Sequence, residues 1–205
     1  MDKQITRTTL KQAAAELFAE YGFDGTTTEM IARRAGVNKA LINYYYRSKK
    51  ELHLEIVETM LSSLREPLEG LKNLNLPPDE QLRRFIEIFA DRHKVYPMLS
   101  TMLLRELLSG GEQISERCLP HFLFMMKYVA DLLARGIRER VFRPVDPFLT
   151  HLSLIGTLVF FFATMKARDH LIRSGIPVTP PTADQYLPHI AELFLRGLKP
   201  DPEKP

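Results

Sequence analysis

The stretch that decides the fold runs from Thr26 to Leu52, TTTEMIARRAGVNKALINYYYRSKKEL. Its threonine cluster offers an N-cap, and Thr26 with Glu29 fits a capping box for a short helix that ends before Gly36. Asn38 can cap a further helix that runs into the three tyrosines. Two short helices joined by a glycine-bearing turn indicate a helix-turn-helix, which lays its second helix in the major groove of DNA.

The second of these helices has two chemically different sides. Ile42 and Tyr46, four residues apart, share the side that can pack on the preceding helices. On the opposite side, the Asn43 amide suits an adenine edge, Lys39 can reach guanine acceptors, and apolar side chains can touch a thymine methyl. Tyrosine hydroxyls and the first N–H groups of neighbouring helices suit phosphate oxygens. We therefore predict a DNA-binding surface formed by Thr28, Lys39, Ala40, Leu41, Asn43, Tyr44, Tyr45 and Lys49.

The net charge is unevenly distributed along the chain. Residues 1–50 contain nine Lys and Arg against five Asp and Glu, a net charge of +4, whereas the remaining residues carry 19 basic and 20 acidic side chains. Positive charge beside the helix-turn-helix favours a polyanionic partner such as double-stranded DNA. A solvated basic face is an equally good explanation of the charge alone.

The composition excludes several classes of protein. With 45% hydrophobic and 26% charged residues, the chain is expected to be folded and globular. The single cysteine, Cys118, excludes an internal disulfide and fits a reducing cytoplasm. No apolar signal core follows Met1, and the longest apolar run, Leu152 to Met165, has 14 residues, fewer than the roughly 20 that a membrane span needs. We expect a cytoplasmic protein with no membrane partner, in which this run is a buried helix.

Helical patterns continue through the rest of the chain. A first helix is expected to stop at Gly22, and Ser48 with Glu51 fits a second capping box, which opens a long helix that Pro67 should kink or end. After Leu76-Pro77-Pro78, which we interpret as a linker, helices are expected over 79–93, 98–109, 112–140, 147–172 and 183–198.

The chain is therefore predicted to be all-α, with three parts. Residues 1–50 form a three-helix DNA-binding head, residues 51–198 a larger helical domain for effector binding and dimerisation, and residues 199–205 a charged, Pro-rich and disordered tail.

About 55 residues at the start resemble the tetracycline-repressor (TetR) family of bacterial regulators. The resemblance rests on AAAELFAEYGFDGTT (13–27) and IARRAGVNKALINYYYRSKKEL (31–52). Tyr46 stands where that family commonly has Phe, and Lys49 matches its lysine. The family commonly has a Gly-Thr-Leu-Tyr-like run early in the second helix of the motif, and Leu41 and Asn43 depart from it. The departure bears on which bases the protein prefers. The resemblance implies a homodimer formed through the last two long helices, a small-molecule pocket in the body, and release of DNA when that effector binds.

The apolar patterns of the body support a dimer and a pocket independently. The helix over 147–172 is apolar almost all round at its centre, and the last helix has one apolar stripe. Two copies of the chain can bury these surfaces by packing the two helices against their counterparts. The alternative is that both helices belong to the core of a single chain. Methionine and aromatic side chains suit a largely apolar effector, with ordinary core packing as the alternative. The candidate contacts are Met102, Arg105, His121, Met125, Tyr128, Thr157 and Phe161.

No pattern of residues indicates an enzyme. The six histidines are scattered without metal-ligand spacing, and there is no P-loop, nucleophile elbow or dinucleotide turn. We expect no catalytic residues, no metal and no cofactor. The hypothesis is a ligand-responsive DNA-binding regulator that acts as a repressor. The alternatives are a helical ligand-binding or interaction module that does not bind DNA, and a helical enzyme.

Overall fold

The structure is a computed structural model that describes residues 3–111, 116–175, 177 and 179–200. The described residues form only helices, turns and irregular segments, which confirms the all-α prediction. The helices are α1 Lys3–Gly25, α2 Thr28–Ala35, α3 Ala40–Tyr46, α4 Lys49–Ser62, α5 Arg65–Asn73, α6 Pro78–Val95, α7 Leu99–Leu108, α8 Leu119–Arg138, α9 Pro147–Ala163, α10 Met165–Arg173 and α11 Ala183–Leu198.

The turn between α1 and α2 differs in one detail from the prediction. The N-cap of α2 is Thr27, whose side chain accepts a hydrogen bond from the N–H of Met30, rather than Thr26. The Thr26 hydroxyl is fully buried, 2.8 Å from the carbonyl oxygen of Gly22. Gly22 has a φ of 76° and interrupts α1 where the sequence predicts its end. Thr26 therefore stabilises the end of α1, and Thr27 caps α2.

Gly36 and Ser48 occupy the helix ends that the sequence predicts, whereas α3 begins one residue later than predicted, with Lys39 rather than Asn38 as its N-cap. Gly36 closes α2 in the left-handed conformation, with a φ of 66°. The Asn38 side chain accepts a hydrogen bond of 2.8 Å from the N–H of Ala40 at the start of α3. Ser48 caps α4 by accepting from the N–H of Glu51 at 3.1 Å.

The prediction of one continuous helix over 147–172 is wrong. The chain bends by 43° between α9 and α10, at Thr164. The Thr164 hydroxyl donates to the Phe160 carbonyl at 2.7 Å, and the Arg168 guanidinium donates to the Phe161 carbonyl at 2.7 Å. Side chains thus bond carbonyls of the last turn of α9, which weakens the helical ladder and permits the bend.

Two other predicted segments are only partly described. The helix expected over 112–140 is described as α8, from Leu119, and residues 112–115 lie outside the described part of the chain. Most of the expected tail, residues 201–205, also lies outside it. No single described helix is long and apolar enough to cross a membrane; α9 and α10 meet that criterion only as a bent pair.

Two hydrophobic cores meet along α7. The first core joins α1, α2, α3 and α4, and it includes Leu99, Met102 and Leu103 of α7. The second is built from α5, α6, α8, α9 and α11. Helix α7 also packs closely along α9. Helix α7 therefore packs on both the head and the second core, and we call its contact with α1 and α4 the joint.

A close contact fixes the chain after α8. The Phe142 ring lies 2.1 Å from the position that a Cβ on Gly136 would occupy, so only glycine fits there. The following residue, Arg143, donates its N–H to the Leu198 carbonyl at 2.8 Å, which fastens the end of α11 to this turn.

Candidate nucleic-acid interface and cavities of the body

The inner side of α3 is fixed by burial. Ile42 is 0% and Tyr46 is 3% exposed. The Tyr46 hydroxyl donates to the backbone carbonyl of Arg7 at 2.9 Å, and burial raises the pKa of Tyr46 to about 12. Because these two side chains hold α3 in one rotational setting, the direction of its outer side is also set.

The outer side of α3 presents the polar groups expected there. Lys39, Ala40, Asn43 and Tyr44 are exposed, with Tyr44 at 66%, whereas Leu41 and Tyr45 are half-buried. The rings of the adjacent tyrosines meet edge to face at 5.0 Å. The structure thus brings six of the predicted residues onto one surface at the N-terminal end and outer flank of α3. Thr28, half-buried, begins α2 beside them.

Glu29 also belongs to this surface, which the sequence analysis missed. Its carboxylate pairs with the Lys39 ammonium and lies 3.2 Å from the Thr28 hydroxyl. The hydrogen bond from Lys39 lowers the pKa of Glu29. The capping pattern had suggested only a local role for Glu29, and the ten residues that separate it from Lys39 gave no signal of their contact.

The structure gives Lys49 a different role from the predicted phosphate contact of its ammonium group. Its Nζ donates to the carbonyls of Phe23 at 2.8 Å and Thr26 at 2.9 Å, and it lies 4.2 Å from the centre of the Phe23 ring. These partners hold the ammonium inside the head, where it fastens α4 to the end of α1 and the turn after it. The backbone N–H groups of the first turn of α4 remain suited to a phosphate.

Two residues predicted for the effector pocket, Met102 and Arg105, lie at the joint, where both line a cavity of about 370 Å³. Met102 is buried in the core of the head. Arg105 donates from Nε to the Ala19 carbonyl and from Nη2 to the Glu20 carbonyl, each at 2.8 Å. Its guanidinium therefore caps the C-terminal end of α1. No local pattern reveals this contact, because the partners are 85 and 86 residues apart.

The three predicted contacts on α8 do not meet around one space. Met125 is buried in the second core, and His121 is half-buried, with its pKa lowered by burial and by Arg65. Tyr128 accepts a hydrogen bond of 2.7 Å from the Gln81 amide and lines a polar cavity of about 370 Å³. Burial raises the pKa of Tyr128.

The two predicted contacts on α9 are occupied by packing within the protein. The Thr157 hydroxyl donates to the Ser153 carbonyl at 2.6 Å. Phe161 is buried, and its ring stacks on that of Tyr186 with the centroids 3.9 Å apart. The seven predicted residues are therefore spread over the joint, α8 and α9. Helical spacing identifies the buried face of each helix, but it does not show between which helices a cavity remains.

An apolar cavity of about 380 Å³ lies where the end of α6, the start of α7, the α9–α10 bend and the start of α11 meet. His93 lines it, stacked on Phe162 with ring centroids 4.1 Å apart, and its Nδ1 lies 3.3 Å from the Ser100 hydroxyl. Burial lowers the pKa of His93 to about 4, so the imidazole is neutral near pH 7. Most of the remaining wall is apolar and includes Met98, Met165 and Leu187.

An apolar face of α9 and α11 remains uncovered in the single chain. The prediction of a buried helix in this region is right for one side only: Leu154 and Leu158 are fully buried, whereas other large apolar side chains are between 57% and 63% exposed. The exposed side chains are Phe148, Leu149, Leu152, Phe160 and Leu193. Isolated exposed apolar residues are ordinary, but several on neighbouring helices indicate a contact surface.

The described residues include no group of three or more His, Cys, Asp or Glu side chains that could hold a metal ion. The hydrogen-bonding groups around the apolar cavity and on the outer side of α3 are suited to binding an organic molecule and DNA, respectively.

Comparison with known proteins gives matches over both parts of the chain. A family model described as bacterial regulatory proteins, tetR family, matches residues 10–56, and one described as tetracyclin repressor-like, C-terminal domain, matches residues 78–192. The HTH-type transcriptional regulator RutR of Escherichia coli is 25% identical over 92% of this chain and 88% of its own. The HTH-type transcriptional repressor NicS of Pseudomonas putida is 27% identical over 95% and 92%. The structure of the ketosteroid transcriptional regulator KstR2 of Mycobacterium tuberculosis has a TM-score of 0.76 at 23% identity, covering 95% of both chains.

Proposed function

Because the chain belongs to the tetracycline-repressor (TetR) family of bacterial regulatory proteins, we propose that it is a cytoplasmic repressor that binds an inverted-repeat operator as a homodimer. The family membership makes it a ligand-responsive DNA-binding transcriptional regulator. The observation that carries the proposal is the orientation of α3, whose Ile42 and Tyr46 are locked inward while Lys39, Asn43 and Tyr44 face solvent.

Each group on the outer side of α3 has a distinct task in this proposal. Asn43 hydrogen-bonds a base edge, with Lys39 reaching a neighbouring base or phosphate, and Ala40 and Leu41 contact thymine methyl groups. Lys39 leaves Glu29 on binding, which costs little because both side chains are exposed and solvent screens the ion pair. Tyrosine hydroxyls and the first turns of α2 and α4 bind phosphates and set the orientation of the head. Lys49 acts indirectly, by holding α4 in place.

The exposed apolar face of α9 and α11 supports the homodimer. Two copies related by a twofold axis can pair these helices in a four-helix arrangement that covers the same residues on both chains. Such a dimer places two heads on successive major grooves of an inverted repeat, about 34–36 Å apart or one further turn beyond. No observation favours the alternative of a helical module that does not bind DNA.

The apolar cavity beside His93 is the effector site in this proposal. A small, largely apolar molecule there contacts Met98 and Thr101 at the start of α7. At the other end of the same helix, Arg105 holds the end of α1. Movement of α7 by the effector therefore displaces the head, and a preference for the displaced state of about 1–3 kcal/mol is enough for a useful switch.

The first experiment selects DNA from a random pool with the purified protein and measures its affinity at several salt concentrations. We expect an inverted repeat and an affinity that falls steeply with salt, because phosphate contacts release counterions. Recovery of no preferred sequence, with binding that salt does not weaken, would instead favour the module without DNA binding. A ligand screen for release of the selected site then identifies effectors.

The role of α7 is tested with Arg105→Met, which keeps the length of the side chain and removes the bonds to α1. We expect operator affinity to respond less to the effector, while effector affinity in the absence of DNA changes little. Arg138→Met, at the C-terminal end of α8, is a control for the loss of an arginine.

A further inference from the structure

The apolar cavity has a buried imidazole in its wall whose hydrogen-bonding capacity is only half used. His93 is 5% exposed, and its ring is held by stacking on Phe162 and by Ser100, whose hydroxyl lies 3.3 Å from Nδ1. Within the described part of the chain, Ser100 is the one hydrogen-bond partner of this ring, so Nε2 has none. Nε2 is not among the fully enclosed polar atoms that lack a partner. It therefore keeps contact with the cavity that His93 lines.

The buried serine decides which ring nitrogen carries the hydrogen. Ser100 is 0% exposed, and among the described residues its hydroxyl bonds only Nδ1 of His93. If Nδ1 carried the hydrogen and donated to Ser100, the hydroxyl hydrogen would be buried without an acceptor, which is costly. If the hydroxyl donates to Nδ1 instead, both groups are satisfied and the hydrogen of the neutral ring lies on Nε2. The second arrangement makes Nε2–H a donor that faces the cavity.

The charges around the cavity favour an uncharged ligand. Burial lowers the pKa of His93 to about 4, so the ring is neutral near pH 7 and offers no charge to an anion. The charged residues of the lining are two basic and two acidic side chains, all of them exposed: Lys94, Lys166, Asp169 and Asp184. These charges balance and are screened by solvent. A charged group inside the cavity would therefore lose its hydration without gaining a buried partner.

The rest of the wall fits an apolar molecule with few polar atoms. Phe162 is 6% exposed and presents an aromatic ring beside His93, and the methionines Met98 and Met165 adapt to varied shapes. The Thr101 hydroxyl also lines the cavity. A largely apolar lining with a few fixed polar groups is the usual composition of a site for a small organic ligand. Here the fixed polar group is an N–H donor, which requires an acceptor atom on the ligand.

We propose that the apolar cavity selects a small, uncharged carbonyl compound, whose oxygen accepts a hydrogen bond from Nε2 of His93. Ser100 is a positioning residue, because its hydroxyl holds the hydrogen of the imidazole on the nitrogen that faces the ligand. The effector role of this compound rests on the proposed function, whereas its binding and the state of the imidazole do not.

The first test reads the position of the hydrogen directly. The full-length protein is labelled with ¹⁵N in its histidines, and two-bond ¹H–¹⁵N correlation spectra distinguish the two neutral forms of each imidazole. The His93 signals are assigned with His93→Gln. We expect the form with hydrogen on Nε2 to predominate at pH 7. Predominance of the form with hydrogen on Nδ1, or a charged ring at this pH, would overturn the proposal.

The second test compares two probes of nearly the same shape. Acetophenone has a carbonyl group, and α-methylstyrene has a =CH₂ group in place of the oxygen. Binding is followed by the ¹³C-labelled methyl signal of Met98, assigned with Met98→Leu. We expect acetophenone to bind at least about fivefold more tightly and to shift the His93 Nε2 signal, because the second probe leaves a buried donor unpaired. Equal affinities, or no saturable shift of Met98 with acetophenone, would be evidence against the site.

Ser100→Ala tests the positioning role, with Ser62→Ala as the matched control. The Ser62 hydroxyl donates to the Thr59 carbonyl in α4, far along the chain from the cavity lining. We expect Ser100→Ala to raise the fraction of His93 with hydrogen on Nδ1 and to reduce the preference for acetophenone over α-methylstyrene. The control should change neither quantity. An unaltered imidazole and an unaltered preference in a folded Ser100→Ala variant would show that Ser100 does not set the donor.

The spectra and the probe titrations use no DNA, so their outcome is separate from that of the proposed function. If Ser100→Ala does not fold, the unaltered protein still decides the proposal through the imidazole form and the two probes. If the protein binds no DNA, the proposed function fails while the selectivity of the cavity is still measured. If it binds an operator but His93 carries its hydrogen on Nδ1, the inference about the ligand fails alone.

Discussion

The exposed face of α9 gives a quantitative prediction for dimer formation. Leu152 is 59% exposed in the single chain. Burying a whole leucine side chain contributes about 1.5–3 kcal/mol, so covering its exposed part contributes about 1–2 kcal/mol in each protomer. Because a twofold axis repeats the contact, Leu152→Ser should weaken the dimer by about 2–4 kcal/mol, or roughly 30-fold to several hundredfold in its dissociation constant.

The assay is analytical ultracentrifugation over a range of protein concentrations. The control is Leu107→Ser on α7, where the leucine is 58% exposed and lies away from the proposed interface. The control should dimerise as the unaltered protein does, with both variants keeping the same helical content. Equal dimer affinities of Leu152→Ser and the unaltered protein, or a stronger effect of the control, would refute the assignment of this face to the homodimer.

Three further predictions concern stability. Lys49→Met should lower the free energy of unfolding by about 1–3 kcal/mol, because two carbonyls lose a charged donor. Chemical denaturation measures this change. An unaltered denaturation midpoint would contradict the structural role and favour phosphate binding by Lys49. Gly136→Ala should destabilise the protein by more than about 1 kcal/mol, because its Cβ would overlap the Phe142 ring; a thermal melt that matches the unaltered protein would contradict this packing. The lowered pKa of His93, about 4 against 6.5 when unfolded, means that the unfolded chain binds more protons between these values. Stability should therefore fall as the pH drops from 6.5 towards 4, by at most about 1.4 kcal/mol per pH unit from this residue, and His93→Gln should flatten that dependence. An unchanged slope in denaturation series at several pH values would show that His93 is not the group responsible.

Local patterns were enough to predict the head. The cap at Ser48, the left-handed glycine at Gly36 and the buried pair Ile42 and Tyr46 depend on residues within a few positions of one another, and helix geometry determines their placement. The resulting outer side of α3 follows directly. Sequence periodicity therefore predicted both the elements of the head and the orientation of its candidate DNA surface.

Contacts between distant residues could not be predicted in the same way. Arg105 carries no local sign that it bonds the end of α1, and nothing near Lys49 shows that its ammonium turns back onto Phe23 and Thr26. The bend at Thr164 depends on a competition between side-chain and backbone hydrogen bonds, to which helical periodicity is insensitive. The cavities lie between helices whose relative positions depend on the whole core, so the predicted effector residues were dispersed.

The central claim is that the outer flank of α3 contacts the bases of the operator. Its most direct test is the affinity of Asn43→Ala for the selected operator and for a panel with each base pair replaced, with Asn73→Ala on α5 as the control. We predict a loss of about 1–3 kcal/mol and relaxed preference at one base pair of each half-site for Asn43→Ala alone. Unchanged affinity and unchanged preference at every position would contradict the claim.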